Sequence, residues 1–214
     1  MPYRRRTYRR RTRRNRGSRL SLYRRLRSVE KKQFNSSELK YFCREFGTTS
    51  VSSAGSGAWD LNLIPEGDGE GQRIGDSVNP KAAVLRWRLL MADATQSVRV
   101  IIARVYGRTG DLALSDFPIG GTAGTEPLGC YDRKHMKYKV LLDKLYTGTN
   151  ASGNSTSVIS RTFVFRKLGG KIRWDTDTPA DTERGGFVMF MVSDSLASTH
   201  PTVHATWQLS FTDQ

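Results

Sequence analysis

Cysteine is scarce in this chain: Cys43 and Cys130 are the only two among 214 residues. Thiols so far apart make neither a metal-ligand spacing nor a disulfide framework, and they point to a reducing compartment. Histidine is as rare, with His135, His200 and His204. The last two have i, i+4 spacing, but Pro201 separates them at the entry to an extended run, so they do not form the helical pair that holds zinc. Nowhere do eighteen apolar residues run together, and no apolar stretch follows the N-terminal charges, so neither a membrane partner nor a secretory signal is expected. Without such a signal, the Asn-x-Ser/Thr patterns at Asn35, Asn150 and Asn154 read as chance matches in polar loops. No window carries a long helical period, and 111–117 is at most a short helix.

Acid is missing from one end. Residues 1–32 hold 15 of the 35 Lys and Arg and a single acid, Glu30, giving +14 of the net +15. Residues 33–214 therefore carry only +1. A polycation has been joined to an almost neutral body, unlike a protein that spreads basic surface over its fold. The partner of such a tail is a polyanion.

The tail is rich in arginine rather than lysine. Arg4, Arg5, Arg6, Arg9, Arg10, Arg11, Arg13, Arg14, Arg16, Arg19, Arg24, Arg25 and Arg27 are interleaved with Tyr3, Tyr8 and Tyr23. Guanidinium is planar, always charged, and able to fork onto phosphate oxygens or stack on bases. Tyrosine adds a stacking face for unpaired bases. These sixteen residues are the expected nucleic-acid-binding set. The segment has too little apolar content to fold alone, so disorder is expected over a 1–34 arm until a polyanion binds. Leu20, Leu22, Leu26 and Val29 allow a short amphipathic helix at its inner end. The run Arg4 to Arg14 also suits a nuclear import receptor, as a second use of the same residues.

From 35 to 214 the expectation is one all-β domain. Strand-like runs cover 39–50, 59–64, 83–91, 97–106, 136–146, 158–168, 171–174, 186–192 and 202–211, separated by turn-rich stretches. Leu85, Trp87 and Leu89 alternate with Arg86 and Arg88, and Ala205, Trp207, Leu209 and Phe211 alternate with Thr206, Gln208 and Ser210. Each such run buries one face. Phe163 and Phe165 alternate likewise, and the wholly apolar 187–192 suits a central strand covered on both faces. About eight strands with long connections such as 111–134 fit an eight-stranded antiparallel jelly-roll sandwich better than an up-and-down barrel. Gly169-Gly170 reads as a two-residue hairpin turn.

Catalytic groups do not converge, so no enzyme, catalytic residue, metal or cofactor is assigned. Cys43, beside Phe42 in an alternating run, reads as core rather than nucleophile. The glycine-rich 67–75 lacks the lysine and hydroxyl of a P-loop and contains Asp68 and Glu70, which repel phosphate, so it reads as a tightly turned loop. Asp175, Asp177, Asp181 and Glu183 could help hold calcium between subunits, but solvated acids are the commoner outcome. Arg86, Arg88, Arg99, Arg104, Arg166 and Arg173 are expected to pair with the domain's acids. The other use for them is to extend the arm's positive surface.

Three features together resemble the coat proteins of small circular single-stranded DNA viruses, the circovirus-like group that replicates by a rolling circle. They are the opening Met-Pro-Tyr-Arg-Arg-Arg-Thr-Tyr-Arg-Arg-Arg, the segment Leu63-Ile-Pro-Glu-Gly-Asp-Gly-Glu-Gly-Gln-Arg-Ile-Gly75, and the all-β remainder ending in a strand. Similar coats occur in small satellite RNA viruses of plants. The resemblance implies a jelly-roll subunit, an arm directed into the particle, an icosahedral homo-oligomer of about 60 copies, a packaged single-stranded DNA genome, and assembly in the host nucleus before release as a virion. Competing readings are the coat of a satellite-like single-stranded RNA virus and a non-assembling viral nucleic-acid-binding protein of the silencing-suppressor or movement type. That protein's β surface would bind strands by itself.

Overall fold

A strand with one apolar face must lay that face against another layer, and two such sheets stacked make a sandwich. In the computed structural model the described residues are 23–26, 38–55, 59–92, 95–112, 137–149, 158–166, 168–175, 182–195 and 199–213. The chain divides into two units, Met1–Glu38 and Leu39–Gln214. In the first, the described residues 23–26 form one turn of helix with every side chain exposed. That turn lies within the arm expected to be disordered. It also falls inside the amphipathic stretch, of which only Leu26 is described.

The described residues of the second unit form ten strands: β1 (Leu39–Ser50), β2 (Trp59–Asp60), β3 (Ser77–Leu90), β4 (Thr95–Val105), β5 (Tyr138–Thr149), β6 (Val158–Arg166), β7 (Ile172–Trp174), β8 (Thr182–Arg184), β9 (Phe187–Ser193) and β10 (Thr202–Asp213). A 3₁₀ turn spans Thr109–Asp111. One sheet runs β1-β10-β3, with β6 and β7 both pairing β3 and β8 pairing β7, and the other runs β2-β9-β4-β5. All these strand pairs are antiparallel.

Four of the pairings are nested: β1 with β10, β2 with β9, β3 with β6, and β4 with β5. First strand meets last and the innermost two meet each other, as when one long hairpin is rolled up into two four-stranded sheets. That is the jelly roll. Only β7 and β8 stand outside the eight-strand scheme.

Between the sheets lie Phe42, Leu85, Trp87, Leu89, Trp207, Leu209 and Phe211 from one side and Val98, Val100, Ile102, Phe187, Met189 and Met191 from the other. The alternation expected in β3 and β10 is present, with Arg86 and Arg88 exposed between buried neighbours. All seven residues of β9 are buried. Its Val188 and Phe190 join Ile101, Ala103, Val105, Leu112 and Tyr138 in a second cluster, so this central strand is covered on both faces as its composition demands.

Several expectations need correction. Cys43 is exposed: alternation turns Phe42 inward and Cys43 outward, opposite Gln208. The run 59–64 is strand only at Trp59–Asp60, although Leu61 and Ile64 are buried, because the backbone turns at Asn62. Gly169-Gly170 does not close a hairpin. Both β6 and β7 run antiparallel to β3, β6 along Ala82–Leu90 and β7 along 77–78, so they are successive lengths of one edge strand. The two glycines, at φ 56° and 72°, let the chain step out of line and return.

The reason for that step lies in β3. Pro80 offers no N–H to a ladder and is tolerated inside a sheet only at an interruption. Toward β10 the register slips beside it, with Pro80 facing Phe211 and Ala82 facing Ser210. Toward the other edge it faces the gap between β6 and β7. Pro80 thus sits at an interruption of the ladder on both sides, although its missing donor faces only one of them.

Candidate nucleic-acid interface

Of the sixteen arm residues, Tyr23, Arg24 and Arg25 are described, all exposed on the helical turn, with Tyr23 71% accessible. The other thirteen, including every residue read as a nuclear-import run, lie outside the described residues. So do the 111–134 connection beyond Leu112, His135, Cys130 and the three Asn-x-Ser/Thr asparagines.

The strand arginines separate into two kinds. Arg99 is buried and binds Asp143 with both ends of its fork, Nε to Oδ1 and Nη2 to Oδ2 at 2.7 Å each. Arg104 is also buried but meets no carboxylate among the described residues. Its nitrogens donate to the carbonyls of Leu168, Gly185 and Lys171, and its guanidinium lies 5.5 Å from the centre of the Phe187 ring. Burial lowers its pKa from the usual 12.5, partly offset by Tyr106. Acid pairing, the expected role, thus holds for Arg99 and fails for Arg104.

Arg86, Arg88 and Arg166 stand on the outward face of the β1-β10-β3-β6 sheet. The pairing register lays that face out in rows: Glu45, Thr206, Arg86 and Thr162 in one, and His204, Arg88 and Ser160 in the next. A shallow depression of about 320 Å³ lies over β3, β6 and β10, lined by Arg86, Arg88, Ser160, Arg161, Thr162 and His204. Glu45 is the one carboxylate among the described residues of this face, and its Oε1 lies 2.9 Å from His204 Nε2. Arg86 reaches only the amide oxygen of Gln208, at 3.4 Å. Unpaired guanidinium beside hydroxyls suits phosphate oxygens, without any means of reading a base sequence.

The glycine-rich loop holds a residue whose role the sequence did not reveal. Arg73 is 1% exposed. Its guanidinium lies 4.6 Å from the Trp174 ring centre, donates to the Gly75 carbonyl, and has Glu66 and Asp76 at 3.7 and 3.8 Å. Backbone bonds Arg73 N to Pro65 O and Gly67 N to Arg73 O close the loop around it. Tight turning was expected; an arginine filling its centre was not. The isolated charge pattern Glu-Gly-Asp-Gly-Glu-Gly-Gln-Arg carried a hint, since one cation sits among three acids.

Asp60 marks a buried polar knot. It accepts from Asn62 N, Asn62 Nδ2 and Thr109 Oγ1 at 2.7 to 2.9 Å, and Thr182 Oγ1 donates to Thr109 Oγ1 at 3.0 Å. Burial raises its carboxyl pKa above 3.8, and the three hydrogen bonds and Arg44 pull the other way. This knot fastens the end of β2 to the 3₁₀ turn and to β8. Among the described residues no group of three or more His, Cys, Asp or Glu is placed to hold a metal ion, and Asp175 is engaged by Arg108 at 2.6 Å. No described helix is long and apolar enough to cross a membrane.

No family model matches the chain, and no curated protein does. Among solved structures it is similar to a chain in the cryo-EM atomic structure of Broad Bean Stain Virus, with TM-score 0.30 and 13% identity over 80% of this chain and 84% of that one. A chain of the T=1 particles derived from Infectious Bursal Virus gives TM-score 0.15 and 8% identity. That match covers 83% of this chain and 41% of the other. Likeness at this level carries no argument, and the jelly roll rests on the strand order alone.

Proposed function

We propose that this chain is the coat subunit of a small virus: its jelly-roll body associates with copies of itself into a closed icosahedral shell, and its N-terminal arginines hold the packaged genome. The observation that carries the reading is the division of charge, +14 on residues 1–32 and +1 on a complete double-sheet body. A nearly neutral body can pack against its own copies without the self-repulsion that a basic body would suffer. The tail supplies salt-sensitive, sequence-independent attraction to phosphates.

The resemblance of the arm and of the 63–75 segment to circovirus-like coats supports single-stranded DNA as the genome, about 60 copies as the shell, and the host nucleus as the place of assembly. Sixty such arms would bring roughly 840 positive charges inside, neutralising on the order of a thousand nucleotides. That suits a very small genome or segment.

Electron microscopy of the purified full-length protein, with nuclease treatment of whatever co-purifies, tests this reading. Closed particles containing protected nucleic acid are expected, and removal of residues 1–32 should empty them. A protein that stays monomeric at every salt concentration overturns the proposal. It would favour the non-assembling nucleic-acid-binding alternative, which the exposed Arg86, Arg88 and Arg166 would then serve.

A further inference from the structure

A hollow in the body opens where the edges of the two sheets part, between β4–β5 on one side and β6, β7 and β8 on the other. It measures about 810 Å³ and is lined by Arg104, Lys139, Arg166, Lys171, Arg173 and Arg184, with no acid among its described lining residues. This is within the size range of ligand sites, roughly 300–1,000 Å³. Ion pairs among the described residues engage Lys40, Arg73, Arg99, Arg108 and His204, and none of these six cations. In a body of net charge near zero, six cations in one concavity with no ion-pair partner among the described residues make a focused positive field.

The floor is built for this. Arg104 is 7% exposed and held by three carbonyls, which orient its guanidinium without cancelling its charge. Gly170 and Gly185, at φ 72° and 80°, leave the space it needs: a Cβ on either would come 3.1 Å from Arg104 Nη2. Tyr106, 48% exposed, and the half-buried Phe165 also line the hollow. An aromatic face is of use to bases that are unpaired, whereas a duplex hides its base faces.

We propose that this cleft binds the phosphodiester backbone of single-stranded nucleic acid, as a second site on the folded body that works independently of the arm. Lys139, Arg166, Lys171, Arg173 and Arg184 contact phosphates from the walls, Arg104 supplies fixed charge beneath, and Tyr106 stacks on a base. The inference rests on the reading that the chain's partner is nucleic acid.

The test uses the full-length chain in a version whose thirteen arm arginines are replaced by glutamine, with a short fluorescent oligothymidylate as probe and anisotropy as readout across a salt series. Residual binding is expected, and Arg166→Gln/Arg173→Gln/Arg184→Gln should weaken it at least tenfold. That triple change should also flatten the salt slope by about 2, at about 0.7 per phosphate lost on a single strand. All three positions are exposed, so melting curves should match, and Arg184→Gln alone serves if the triple variant does not fold.

No residual binding in the arm-neutral chain overturns the proposal, as does residual binding that the cleft substitutions leave unchanged. Equal binding of oligoglutamate overturns it in favour of an acidic protein segment. If the unaltered chain itself fails to bind oligothymidylate, the genome-packaging reading falls as well. Binding by the unaltered chain alone sinks only the cleft.

Discussion

Replacing Arg73 by methionine removes a buried charge while keeping most of the side chain's apolar length. The guanidinium's donation to the Gly75 carbonyl is a charge-assisted hydrogen bond worth about 1.5–3 kcal/mol. Its position over Trp174, out of water, adds about 1–2 kcal/mol. Glu66 and Asp76 lie beyond hydrogen-bonding distance with side chains 59% and 57% exposed, and solvent screening reduces them to less than about 1 kcal/mol together. Against these gains stands the desolvation of the guanidinium, several kcal/mol for a buried ion, which methionine does not suffer. At mid-range the gains come to about 4 kcal/mol against about 3 kcal/mol of desolvation, an expected net loss of about 1 kcal/mol for Arg73→Met, with about 1–2 kcal/mol more for Arg73→Ala, which also opens a cavity. Arg73→Lys should be less stable than Arg73→Met, since the ammonium keeps the desolvation cost while a point charge cannot lie flat over the indole and reach Gly75 together. Urea unfolding followed by tryptophan fluorescence, repeated at several protein concentrations to separate folding from association, measures this. A methionine variant as stable as the parent refutes the reasoning: desolvation would then exceed everything the guanidinium contributes to closing the loop.

Other changes probe the body at separate points. Gly186→Ala should cost about 3 kcal/mol or prevent folding, because a Cβ there would run into the Thr182 hydroxyl, the Thr109 methyl and Asn62, seen as a lowered melting temperature. Trp207→Ala, at a fully buried position between Phe165 and Phe187, should cost about 3–5 kcal/mol in the same assay. For Arg99 and Asp143, a double-mutant cycle to alanine should return a coupling of about 1–3 kcal/mol; additivity would show that the fork geometry contributes nothing. Asp60 has a folded pKa raised above its unfolded value, so between those two values the folded state binds more protons and stability declines as pH rises. Asp60→Asn lacks this titration. The stability of the parent minus that of the variant should therefore fall as pH climbs from about 4 through the folded pKa, then level off, and a difference that rises with pH contradicts the assignment.

How far residues announced this structure depends on how local their signal is. Period-two alternation in 83–91 and 202–211 is local and named both the strands and their buried faces. Apolar saturation in 187–192 named the strand that is covered twice. β8 (Thr182–Arg184) offers three polar residues with no pattern, and it exists because β7 presents an edge to it. The first half of β3 was hidden by Asn79-Pro80, which reads as a break until its neighbours are known. Cys43 was misplaced by weighing residue type over phase: the same alternation that buries Phe42 turns the thiol outward. At the interface, the arm's chemistry is written in composition. The distinction between Arg99, which finds a carboxylate, and Arg86 or Arg88, which do not, depends on partners more than forty residues away.

The break at Pro80 also accounts for the cleft. Beside that residue the edge of the sheet is interrupted, and β6 and β7 are separated by the stretch that contains Gly169 and Gly170. Within this stretch Leu168 and Lys171 present their carbonyls to Arg104. An uninterrupted edge strand would direct those carbonyls into or away from the β3 ladder, and the guanidinium would be buried without acceptors, at a cost of several kcal/mol. The interruption of the edge beside Pro80 is thus linked to a cation that can remain charged in the floor of the hollow. It follows that Gly170→Val, which crowds Arg104 Nη2 and strains a left-handed backbone position, should weaken binding of oligothymidylate by the arm-neutral chain while all five wall cations remain in place. Unchanged binding in that variant would mean that the walls act alone and that the geometry of the floor is incidental.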